Sequence, residues 1–93
     1  MALLDLLGRR WTLRIVWELR DGPLTSRALR AACDDVSPTV LQDRLNDLRE
    51  AALVEQKAGE GYGLTTLGRE LFESFAPLYR FAGRWAAAKP GPT

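Results

Sequence analysis

Histidine is absent from this chain of 93 residues. Its absence removes the commonest general base near neutral pH and the commonest nitrogen ligand of zinc. There is one cysteine, Cys33, which has no partner in the chain for a disulfide and so fits a reducing compartment. No apolar run approaches the ~18 residues that a membrane-spanning helix needs. The opening stretch, MALLDLLGRRW, carries Asp5 among its leucines and no basic flank before them, so it does not read as a secretion signal. Net charge is nearly missing too: 13 Lys and Arg stand against 12 Asp and Glu, a formal +1. A uniformly basic coat is excluded, and any contact with nucleic acid must come from local placement of arginines. What is present is ordinary globular composition, 46% hydrophobic and 27% charged. We expect one domain over residues 1–88, a frayed tail over 89–93, and a cytoplasmic location. A core this small gains from dimerisation.

Leu3 to Leu7 reads as a short apolar helix closed by Gly8. A second helix is expected from Trp11 to Arg20, with Leu13 and Trp17 on one side, Ile15, Val16 and Leu19 on another, and Arg14, Glu18 and Asp21 left for solvent. Asp21-Gly22-Pro23 stops it. Thr25 or Ser26 caps a short helix through Ala32, and Asp34-Asp35-Val36 makes a turn. Ser37-Pro38 is the strongest helix start in the chain, a hydroxyl cap followed by Pro at the first helical position. The helix it opens reaches Ala51. Leu41, Leu45 and Leu48 form its buried stripe, leaving Thr39, Gln42, Asp43, Asn46 and Glu50 on the opposite face.

Leu53–Ala58 and Tyr62–Leu64 are strand candidates joined by Gly59-Glu60-Gly61, a hairpin signal. Thr65 caps a last helix running to Ala87. Along it Leu71, Phe75, Leu78, Ala82 and Trp85 step by 4, 3, 4 and 3 residues, with Phe72 and Tyr79 in a second row. Two apolar rows exceed what so small a body can cover, so the surplus points to a partner chain. Pro77 should kink this helix.

The resulting fold class is mainly α with a small two-stranded β wing, a winged helix-turn-helix. The residues go beyond that layout. Gly8 with Trp11-Thr12, Gly22-Pro23, Ser37-Pro38, Leu41 with Arg44-Leu45 and Leu48, Leu53-Val54-Glu55, and Leu64-Thr65 with Leu67-Gly68-Arg69 together resemble the HxlR-type regulators, relatives of the MarR group. The resemblance spans residues 4 to 85. It implies a bacterial transcriptional regulator, a homodimer formed through its terminal helices that lays paired recognition helices into successive major grooves of double-stranded DNA. The chain departs from the family pattern by Thr25 and Ser26 where a basic residue and an aromatic are usual, by a short wing with Lys57 and Glu60, and by Asp43 on the recognition face. It also lacks the cysteine that some members carry before the first core helix.

On this reading the residues that meet DNA are Thr25, Ser26 and Arg27 at the start of one helix, Ser37, Pro38 and Thr39 at the start of the next, and Lys57 in the wing. Along the recognition helix Gln42 and Asn46 suit adenine edges, Asp43 a cytosine amino group, and Arg44 a phosphate or a carboxylate. The dimer seam is expected at Leu4, Leu7, Leu71, Phe75, Leu78, Tyr79, Ala82 and Trp85. The aromatic set Trp11, Trp17, Phe72, Phe75, Tyr79, Phe81 and Trp85 serves core and seam, and a pocket for a small apolar effector between the terminal helices is a second use for it. Cys33 reads as a small buried hydrophobe rather than a sensor thiol. No cofactor, metal site or catalytic constellation is read from the sequence. A rival reading, favoured by the near-neutral charge, Glu60 and Asp43, is a winged-helix protein-interaction module without DNA binding.

Overall fold

The computed structural model describes residues 3–89. Five helices and one hairpin follow each other as α1 (Leu3–Leu7), α2 (Thr12–Glu18), α3 (Ser26–Ala32), α4 (Pro38–Glu50), β1 (Val54–Lys57), β2 (Gly61–Leu64) and α5 (Thr66–Ala88). The expected tail lies, apart from Lys89, outside the described residues.

α1 ends where the Gly8 N–H bonds the Leu4 carbonyl at 3.0 Å. Trp11 carries the corner into α2 at φ 76°, in the left-handed region that few side chains adopt. Regular helix stops at Glu18, two residues before the expected end, because Leu19 and Arg20 already form the tighter bonds of the exit turn. Ile15, Val16 and Leu19 are fully buried. Arg14 and Glu18 are not left to solvent as expected. Arg14 is half-buried, donates from Nε to Glu18 Oε2 at 2.7 Å and from Nη2 to the Ala32 carbonyl at 2.7 Å, and so holds the last turn of α3.

The cap residues work as their chemistry dictates. The Thr25 hydroxyl accepts from the Ala28 N–H at 3.1 Å, and the Ser37 hydroxyl accepts from the Val40 N–H at 3.1 Å. Between the two helices Asp34 and Asp35 take φ 56° and 58°, a conformation short polar side chains tolerate. Leu41, Leu45 and Leu48 bury the inner stripe of α4 against Leu29, Cys33 and the α2 residues. Each such side chain contributes roughly 1.5–3 kcal/mol by leaving water.

The strands pair antiparallel from Val54–Leu64 to Lys57–Gly61. Leu53 and Ala58 fall outside β1, and Gly61 inside β2. Leu24 adds a third, one-residue rung, exchanging bonds of 2.9 and 2.8 Å with Tyr62. The Thr65 hydroxyl caps α5 by accepting from the Gly68 N–H at 2.9 Å and donates to the Ala52 carbonyl at 2.7 Å. α5 runs through Pro77 without a break. Its second row is not surplus: Tyr79 stacks on Trp17, and Phe72 packs beside the same indole at 5.8 Å. Phe75 is buried in the core. Phe75 and Tyr79 are therefore engaged inside the chain rather than offered to a partner.

Candidate nucleic-acid interface

With Leu41, Leu45 and Leu48 facing inward, α4 presents Thr39, Gln42, Asp43, Asn46 and Glu50 to solvent. Its N-terminus has no acidic side chain in the first turn, so the positive end of the helix dipole stands unopposed there. The Ser37 hydroxyl is engaged as the cap acceptor and keeps its proton to donate; Pro38 fixes the first helical residue. Gln42 and Asn46, one turn apart, are joined by a bond from Gln42 Nε2 to Asn46 Oδ1 at 2.9 Å. Asp43 is exposed beside them.

Arg44 is turned to the flank of the helix. Its Nε donates to Asp47 Oδ2 at 3.1 Å, and the same oxygen accepts from Arg9 Nη1 at 2.9 Å, reaching α4 from the α1–α2 corner. Of the two partners the sequence left open for Arg44, phosphate or carboxylate, the structure shows the carboxylate. At the start of α3, Thr25 is engaged as a cap while Ser26 and Arg27 are exposed. Arg27 forms no ion pair among the described residues. Lys57 stands apart on the hairpin, its stem lying over Gly63.

Two features were missed in the sequence. Arg9 and Asp47 are 38 positions apart and carry no local spacing signal. Leu3 and Leu67 join Leu4, Leu78, Phe81 and Trp85 as the large exposed apolar side chains among the described residues, all on α1 and α5. Leu67 was legible in principle, four residues before Leu71, and Phe81 already stood in the aromatic set read as core and seam.

Beneath that surface, a groove of about 470 Å³ lies between α1 and α5, lined by Leu3, Leu7, Leu53, Leu67, Leu71 and Phe75 among others. Of the aromatic set only Phe75 reaches it. Cys33 is fully buried; burial pushes its thiol pKa up, Arg14 partly opposes this, and Glu18 and Asp34 add to it. Among the described residues no cluster of Cys, Asp and Glu is placed to hold a metal ion, and no helix is long and apolar enough to cross a membrane.

The HxlR-like helix-turn-helix family profile matches residues 6–90. An uncharacterised HTH-type transcriptional regulator of Methanocaldococcus jannaschii is 30% identical over 93 residues, covering 96% of this chain and 87% of its own length. A possible HxlR family transcriptional factor from Thermoplasma volcanium superposes with a TM-score of 0.88 at 28% identity, over 94% of this chain and 84% of that one. Quinone-bound YodB of Bacillus subtilis superposes with a TM-score of 0.76 at 30% identity, over 87% and 90% of the two chains.

Proposed function

This chain belongs to the HxlR-like helix-turn-helix family and is a transcriptional regulator of that type, and from that premise we propose that it acts as a homodimer reading an inverted repeat. The observation that carries the proposal is α4 itself, capped by Ser37, anchored by three buried leucines and presenting Thr39, Gln42, Asp43 and Asn46 outward. Ser26, Arg27 and Lys57 are the backbone contacts, with Thr25, Ser37 and Pro38 setting the helix starts. The protein is a binding protein rather than an enzyme, working in the cytoplasm where its DNA lies.

The exposed apolar side chains of α1 and α5 support the homodimer. Leu4, Leu78 and Trp85 are 78%, 65% and 54% exposed, and contiguous exposed apolar side chains mark interaction surfaces. Leu7, Leu71 and Ala82 belong to the same seam. Two-fold pairing places the recognition helices about one DNA turn apart, ~34 Å. A small apolar effector is a second use of the α1–α5 groove, supported by its lining and by the quinone bound to the Bacillus relative.

Selection of bound DNA from a random pool at two salt concentrations tests the reading. An inverted repeat with half-sites one turn apart is the expected product. Binding without base preference that vanishes at modest salt would instead favour the interaction module.

A further inference from the structure

The Gln42–Asn46 bond changes what this face can read. A primary amide carries one carbonyl acceptor and two N–H donors. Free of each other, two amides one helical turn apart each have the means for bidentate contact with a separate adenine. Joined as they are, Gln42 gives up a donor and Asn46 a lone pair. The pair then keeps the whole carbonyl of Gln42 and the whole NH₂ of Asn46 unengaged, with one N–H on Gln42 and one lone pair on Asn46 left beside the shared bond. Reversing the bond exchanges the roles of the two residues and leaves the same outward set. Both side chains are exposed, with no other hydrogen bond among the described residues to pull them apart.

We propose that Gln42 and Asn46 act as a single reading unit, and that its base is adenine: the open carbonyl accepts from the N6 amino group while the open NH₂ donates to N7. Guanine presents two adjacent acceptors on that edge and gives the carbonyl nothing to accept from. Both residues thereby specify one base pair in each half-site instead of two. The inference rests on the DNA-binding reading above.

The test uses the DNA recovered by selection. Each adenine is replaced in turn by 7-deazaadenine, which lacks the N7 acceptor, and by purine, which lacks the N6 amino group. Binding is measured for the wild type, Gln42→Ala, Asn46→Ala and the double variant, with thermal melting to confirm that each is folded. For the wild type, one adenine per half-site should respond to both analogues, each weakening binding on the order of tenfold. Both single variants should lose preference at that same position and become indifferent to the analogues there, and the double variant should bind no worse than either single. Losses at two different base pairs that add in the double variant overturn the single unit. A sensitive G·C pair at the shared position overturns the adenine assignment. Failure of the wild type to select any sequence overturns the DNA-binding reading itself, an outcome distinct from the other two.

Discussion

The phenol ring of Tyr79 lies flat on the indole of Trp17, centroids 4.3 Å apart and planes within 8°. The guanidinium of Arg20 sits 4.3 Å from the same indole centroid. This stack ties α5 to α2 and decides which side of α5 belongs to the chain. Gly68, Phe72, Phe75, Ala76 and Tyr79 face inward, and Leu67, Leu78, Phe81 and Trp85 are left outside. One apolar row of α5 is thus covered within the chain, and the other is exposed.

Truncation should separate the two faces. Tyr79→Ala removes the stack and part of the buried area, and we expect a loss of about 2 kcal/mol in unfolding free energy with the oligomeric state unchanged. Trp85→Asp should do the reverse, giving monomers by light scattering, because a carboxylate would enter an apolar seam. A Trp85→Asp protein that stays dimeric places the seam elsewhere.

Most of the fold was legible because its signals are local. Ser37-Pro38, Thr65 and the Leu41, Leu45, Leu48 stripe each fix an element within a few residues of themselves, and α1, α4 and α5 match their expected spans closely. The division of α5 into an inner and an outer row was not, since Phe72 and Tyr79 differ from Leu78 and Trp85 only in which side meets Trp17. Arg14 looked like a solvent residue for the same reason. Beside Glu18, its partner is the Ala32 carbonyl, 18 positions away. Within the candidate interface, the polar face of α4 followed from helical periodicity, whereas the second arginine on Asp47, Arg9, arrives from 38 positions away.

Asp47 gathers two arginines beside the recognition helix and neutralises one positive charge there. Asp47→Asn should release Arg44 and Arg9 toward the phosphates, tightening DNA binding and steepening its logarithmic salt dependence by about 0.9 for each phosphate newly contacted. Adding Arg44→Gln should return the slope toward the wild-type value. The pair is partly solvated, so the effect on folding should stay within about 1 kcal/mol. An unchanged salt slope in Asp47→Asn would mean that neither arginine can reach the DNA.

Gly61 holds the wing to the body. Its φ of +96° suits glycine, and a Cβ there would run into the Leu24 carbonyl. Gly61→Ala should break the Leu24–Tyr62 rung and lower stability by about 1–3 kcal/mol. Amide exchange at Leu24 and Tyr62 should accelerate more than at Leu45. Uniform acceleration across the chain would show that the wing opens only with the whole fold.

Cys33 has a pKa raised above its ordinary value of 9.0, chiefly by burial. The sign of the consequence follows from proton binding. Above pH ~9 the unfolded thiol ionises while the folded thiol keeps its proton, so the contribution is fully present below that pH and is lost as pH rises toward the folded value. Stability of the wild type should therefore fall more steeply above pH 9 than that of Cys33→Ala, measured by denaturant melts across pH 8 to 10. The same burial makes the thiol a poor target, since it is the thiolate that reacts and a fully buried sulfur meets no reagent. Modification by iodoacetamide should proceed only as fast as the chain opens, and DNA binding should survive diamide treatment. Rapid labelling of the native protein, or loss of DNA binding on oxidation, would mean that α3 opens locally to expose Cys33.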